Sequence, residues 1–305
     1  MCNPRIPVVS ASVVLFLTIG AASIAGETND EGVGHPILKG PYLGQHPPGD
    51  TPQVFAPGFV STDEHEFSCT FTPDGKEFYF ARGTGPHNRK RIMVTRLEGG
   101  VWTVPEVALP AFASENFEPR VTPDGKRLFF MGFHETAGGE MPAIDMFYAE
   151  RTAEGWGEVH HLGEPFNSAK SMFVSATSDG TIYTTDAQAG DIVRSRLVEG
   201  EYQPYENLGP PVNTDGMEIY PYVDPDESFL IYNAMGSGES GLVVSFRADD
   251  GSWTGPQVID TGMHCGCPTV SPDGKYLFFV SGRPKGDLYW VDMKIVHSLK
   301  PQDRN

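Results

Sequence analysis

The chain has 305 residues, 39 % of them hydrophobic, and a formal net charge of −18 at pH 7. So acidic a balance opposes binding to nucleic acid or to an anionic membrane surface by general attraction, and no basic stripe offsets it. The sequence holds no HExxH motif, no paired CxxC, no phosphate-cradling glycine loop opening a helix and no GxSxG elbow, so the common metalloprotease, zinc-module, P-loop and α/β-hydrolase readings have no footing.

In chain order, residues 1–25 carry one charge, Arg5, then an apolar run from Val8 to Ala21 and the small residues Ser23-Ile24-Ala25. This pattern predicts a secretory signal peptide cleaved after Ala25. The core Val13–Leu17 is short and Gly20 interrupts it, unlike a membrane anchor, and Cys2 precedes the apolar run instead of ending it as in a lipoprotein. A secreted or periplasmic protein is expected, with no membrane insertion of the mature chain. Loss of Arg5 then shifts the charge from −18 to −19. Residues 26–50, with their glycines and prolines, are expected to form a flexible leader, 51–298 a single domain and 299–305 a tail.

From residue 71 onward one ten-residue line recurs five times: FTPDGKEFYF at Phe71–Phe80, VTPDGKRLFF at Val121–Phe130, ATSDGTIYTT at Ala176–Thr185, VDPDESFLIY at Val223–Tyr232 and VSPDGKYLFF at Val270–Phe279. The repeat interval of 47–55 residues suits a four-stranded propeller blade. Each line reads as a hairpin: proline pre-sets φ, aspartate bonds its own backbone, and glycine takes positive φ. Asp74, Asp124 and Asp273 are therefore turn residues rather than catalytic ones. Third strands are predicted at Ile92–Leu97, Asp145–Thr152, Asp191–Leu197, Gly241–Arg247 and Asp287–Met293. Fourth strands begin at Trp102, Trp156, Tyr202 and Trp253, and three of them carry a proline that suits an outer edge. The fifth unit lacks its fourth strand, whereas TPQVFAP at Thr51–Pro57 resembles VPEVALP at Val104–Pro110. The prediction is an all-β propeller of five four-stranded blades, closed by that N-terminal strand. The alternative of six blades would need about 45 more residues.

These PDGK turns, the DLYWVD third strand at Asp287–Asp292 and the W-x-x-P outer strands resemble the PD variant of the WD40-like β-propeller repeat, which is also similar to the C-terminal domain of TolB. The resemblance spans about Pro41–Lys294. It implies a propeller fold and brings no catalytic residues with it. Unit three departs from it with Ser178 for proline, unit four with Glu227 for glycine, and TolB has six blades.

In a propeller, equivalent positions of the innermost strands form rings around the axis. Seven residues before the turn proline (Ser178 in unit three) stand Glu66, Asn116, Ser171, Glu218 and Cys265; one step earlier stand His65, Glu115, Lys170, Met217 and His264. Glu66, Asn116, Glu218, His264 and Cys265 are the candidate channel-mouth site, able to meet sugar hydroxyls or a metal ion. The segment Met263-His264-Cys265-Gly266-Cys267 admits two special readings beside plain buried thiols. One is a soft metal site using His65, His264, Cys265 and Cys267; the other is a disulfide from Cys69 to Cys265 across the closing seam. No cofactor is otherwise indicated. His87, His134, His160 and His161 read as loop or outer-strand residues.

The leading functional expectation is a secreted, monomeric binding or scaffolding propeller whose partner is a small molecule, a glycan or a protein, not nucleic acid. The alternative is a hydrolase at the channel mouth, glycan-processing or metal-dependent. The glycosidase form needs two carboxylates, for which Glu66, Glu218 and Glu115 are candidates. A sialidase box, with a residue between Asp and Gly, does not match.

Overall fold

The computed structural model describes residues 35–85, 87–134, 143–168, 170–236, 240–282 and 285–301. The expected signal peptide, the first part of the leader, the last four residues and the His134 side chain lie outside them. Each repeat forms one antiparallel sheet. From axis to rim, blade 1 holds His65–Phe71, Glu77–Thr84, Arg89–Glu98 and Glu106–Val107. Blade 2 holds Asn116–Val121, Arg127–His134, Ala143–Thr152 and Gly155–His161. Blade 3 holds Ser171–Ala176, Ile182–Asp186, Asp191–Ser195 and Glu206–Asn207. Blade 4 holds Met217–Val223, Phe229–Met235, Gly241–Phe246 and Gln257–Val258. Blade 5 holds Cys265–Val270, Tyr276–Ser281 and Asp287–Asp292, and takes its outer strand, Gln53–Val54, from the N-terminal segment. Gln53 pairs with Trp290 and Val54 with Tyr289, which closes a five-bladed β-propeller.

The outer strands begin later than the aromatic residues that mark them. Trp102 pairs with Leu97, Tyr202 with Leu197 and Trp253 with Arg247, each extending the end of the third strand. Pairing resumes only past Pro105, Pro204 and Pro256, because proline has no N–H to give the ladder. Blade 2 has no proline there, and its outer strand runs from Gly155 to His161 with one irregularity.

The turns behave as their chemistry dictates. In blade 1, Thr72 Oγ1 donates to Asp74 Oδ1 at 2.6 Å, the Lys76 amide donates to the same oxygen at 3.1 Å, and Gly75 sits at φ 68°. The two departures from the repeat are put to use. Ser178 keeps an amide that donates to Pro225 O at 2.8 Å, a bond proline could not make. Glu227, at φ 57°, lies 3.7 Å from Arg194 and 3.6 Å from Arg247 and accepts from Tyr183 at 2.5 Å, tying blade 3 to blade 4.

Apolar cores fill every gap between neighbouring blades. The seam between blades 1 and 5 is the most aromatic: Phe55, fully buried, meets the rings of Phe71, Phe78, Phe278 and Trp290. The expected flexible leader is corrected here from His35 onward. Leu38 and Leu43 are buried in this seam, Trp102 Nε1 donates to Gly40 O at 2.7 Å, and Tyr42 donates to Asp273 at 2.5 Å. Burial of two leucines and partial burial of a tyrosine offset the ordering entropy that would keep the segment loose. Beyond blade 5, the short helix Lys294–His297 buries Val296, and Leu299 packs beside it. Among the described residues, no helix is long and apolar enough to cross a membrane.

Candidate functional site at the channel mouth

Every innermost strand breaks its register once, at the same repeat position. The bulging residues are Ser68, Glu118, Phe173, Tyr220 and Cys267, all left-handed, with φ of 43°, 56°, 65°, 58° and 51°. None is glycine, so each carries a backbone cost on the order of 1–3 kcal/mol that the surrounding sheet must offset. A bulge re-aims side chains. Here the repetition places five chemically different side chains around one level of the axis.

Above this ring opens a cleft of about 690 Å³ between blades 1, 4 and 5. Phe67, Tyr220 and Val280 supply apolar wall; His65, Lys90, Asn233 and His264 supply polar wall; Glu118, Cys265 and Cys267 line it deeper down. Its size falls in the range of small-molecule pockets. Below the ring the channel shrinks to a void of about 10 Å³ bounded by Glu118, Arg120, Tyr220 and Cys267. A separate depression of about 390 Å³ opens on the turn face, and Arg120 lines both it and the small void.

Glu118 is 8 % exposed, and its Oε1 lies 3.9 Å from Cys267 Sγ. Burial raises its pKa from 4.5 to about 7, against the opposing pull of Ser68, Arg120 and Cys267. Burial likewise pushes Cys69 up to about 12 and Cys267 well above the usual thiol value, so these thiols stay protonated and poorly nucleophilic. His65 accepts the Gly286 amide at Nδ1 (2.7 Å), which leaves the Nε2 proton as its donor. Burial lowers its pKa, favouring the neutral ring, and it stacks on Phe67 at 5.1 Å.

Of the residues expected at the mouth, His264 and Cys265 line the cleft. Glu66, Asn116 and Glu218 are not in its wall; they are buried and spent on local bonds. Glu66 accepts from the Thr62 amide and hydroxyl at 3.0 and 2.6 Å and pairs with Arg82 at 2.7 Å. Glu218 makes the same latch with Thr214 at 3.1 and 2.6 Å, and Asn116 Oδ1 accepts the Ile92 amide at 2.9 Å. Ser171 bonds Tyr205, and Glu115 caps the Lys90 amide at 2.9 Å. The Cys69–Cys265 bridge is corrected: Cys69, Cys265 and Cys267 are all free. Cys69 packs in the seam of blades 1 and 5, whereas Cys265 packs between blades 4 and 5. Nor do His65, His264, Cys265 and Cys267 converge; among the described residues no three His, Cys, Asp or Glu side chains form a group able to hold a metal. Glu118 and Tyr220 stand two residues further along their strands than Asn116 and Glu218, at the register break, which no residue type marks in the sequence.

No family model matches the chain, and no curated protein matches it. Among solved structures it is similar to a gluconolactonase from Xanthomonas campestris at 12 % identity, with a TM-score of 0.46 over 84 % of this chain and 94 % of that one. A glucose dehydrogenase gives 13 % identity and a TM-score of 0.47 over 79 % and 99 % of the two chains. The GH43 endo-arabinanase from Bacillus licheniformis gives 15 % identity and 0.46 over 80 % and 96 %. Likeness at this level is a matter of propeller architecture and says nothing about the site.

Proposed function

We propose that this protein is a secreted, PD-repeat β-propeller that binds a small molecule in the cleft between blades 1, 4 and 5. The observation that carries this reading is the cleft itself: about 690 Å³, reaching the bulge residues Glu118, Tyr220 and Cys267 in its wall. Bulges that repeat in all five blades at a cost to the backbone suit a site more than a filled plug. Binding is favoured over glycosidase chemistry by the carboxylates. That reaction needs an acid and a second carboxylate a few ångströms away, and Glu118 is the one carboxylate among the described residues of the cleft wall. Glu66 and Glu218 are engaged by Thr62, Arg82 and Thr214.

The test is a broad small-molecule screen by thermal shift on the mature protein, followed by calorimetry with Tyr220→Ala. Hits whose affinity falls at least tenfold in the variant support the cleft; hits indifferent to it place binding elsewhere and overturn the reading. Export is tested separately, by the mass of the protein recovered outside the producing cells, expected to begin at Gly26.

A further inference from the structure

Asn233 stands in the cleft wall and is 6 % exposed. Its Nδ2 donates to Cys265 O at 2.8 Å, which fixes the amide orientation, and its Oδ1 is left buried with no hydrogen-bond partner. An orphaned buried acceptor costs about 1–3 kcal/mol, which a donor entering the cleft would recover, and of the orphaned side chains among the described residues Asn233 is the one in the cleft wall. That oxygen lies against Gly266: a Cβ built there would stand 3.4 Å from Oδ1 and 3.9 Å from the Tyr220 ring. With no side chain on Gly266, the backbone there leaves the approach to this acceptor uncovered, next to the edge of the Tyr220 ring, which packs on Phe173 at 3.9 Å.

We propose that the cleft ligand is an uncharged, hydroxyl-bearing ring, a neutral polyol of the sugar or cyclitol class, with one hydroxyl donating to Asn233 Oδ1 over Gly266 and one apolar face on Tyr220. This deepens the small-molecule reading above and rests on it. Charge in the wall selects for neutrality. Lys90 stands in the wall and Arg120 beneath it, and they repel a cation. An anion would gain from Lys90, but it would have to shed its hydration against the unpaired Asn233 Oδ1 and, once Glu118 ionises near pH 7, face a buried carboxylate. A hydroxyl can donate to Asn233 and also accept from His65 Nε2–H, which a pure acceptor or a hydrocarbon cannot do.

The test uses the mature protein and three isosteric sets: neutral hexoses, cyclitols and disaccharides; their amino-sugar counterparts; and their uronic acids. Binding at pH 7 is measured by saturation-transfer NMR and calorimetry, with Gly266→Ala as the block. Gly266 has no left-handed φ and the new methyl would make only ordinary contacts, so the variant should fold. A neutral polyol that binds, loses at least tenfold affinity in Gly266→Ala, and outcompetes its amino and acidic forms supports the proposal. Preference for a charged form, or binding indifferent to Gly266→Ala, overturns it. If no polyol binds at 10 mM while the broad screen still yields a ligand sensitive to Tyr220→Ala, the ligand class falls and the binding site stands; if neither binds, both fall.

Discussion

Arg120 of blade 2 donates a hydrogen bond across the axis to Thr269 Oγ1 of blade 5. The same guanidinium reaches Val174 O of blade 3 at 3.2 Å, Cys69 O of blade 1 at 3.5 Å and Pro268 O at 3.4 Å, and it lies over the Tyr222 ring of blade 4 at 5.9 Å. One side chain thus touches every other blade. Arg120→Met keeps the bulk and strands these acceptors, which should cost about 3 kcal/mol. For a domain of this size that lowers Tm by roughly 6–12 °C. Calorimetry showing a shift under 2 °C would mean the axial tie adds nothing.

Closure depends on Phe55 as much as on the two-residue strand beside it. Phe55→Ala removes a ring that touches four others and leaves a cavity in the seam, at a cost of about 3–5 kcal/mol. Urea unfolding of the variant should show a lower midpoint with an unchanged slope. An unchanged midpoint would mean that the seam does not hold the ring together.

The blade count and the closing strand were legible because both rest on local chemistry that repeats: the Pro-Asp-Gly turn, and proline-bearing edges such as that at Pro105. Glu66 and Glu218 are legible in the sequence as a pair of latches rather than as a site. Each follows a threonine by four residues, in Thr62-Asp63-Glu64-His65-Glu66 and Thr214-Asp215-Gly216-Met217-Glu218, and that spacing builds the side-chain latch. The bulge ring was hidden. A register break has no residue preference to advertise, and Ser68, Glu118, Phe173, Tyr220 and Cys267 share no property except their position.

The thiols give a direct check on the seam. Unfolded in urea without reductant, the chain cleaved after Ala25 should titrate three thiols, from Cys69, Cys265 and Cys267, and a chain retaining Cys2 should titrate four. The native protein should react slowly at pH 8, since burial suppresses thiolate formation at all three. Recovering only one thiol from the cleaved chain would reinstate a disulfide.

Glu118 makes stability depend on pH in a direction opposite to that of most carboxylates. Its pKa is about 7 folded and near 4.5 unfolded, so between these values the folded chain holds the extra proton. Unfolding then releases a proton, and stability falls as pH rises: the contribution is complete below about pH 4.5 and gone above about pH 7. The amplitude is on the order of 3 kcal/mol, at 1.36 kcal/mol per unit. His65 works the other way, because its lowered pKa makes stability rise with pH up to about 6.5, its unfolded value, and no further. Asp273 does not enter this window. Burial alone would raise it, but hydrogen bonds from Tyr42, Lys275 and Ser271 hold it at about 2, so its contribution is lost only below pH 4. The Glu118 effect is therefore read as a difference between the wild-type chain and Glu118→Gln, which keeps the shape without the titration. Urea midpoints measured from pH 4.5 to 8 should show the wild type losing stability relative to the variant as pH rises. Parallel curves would mean that Glu118 is ionised in the folded protein at acidic pH and that the cleft floor is wetter than its 8 % exposure implies.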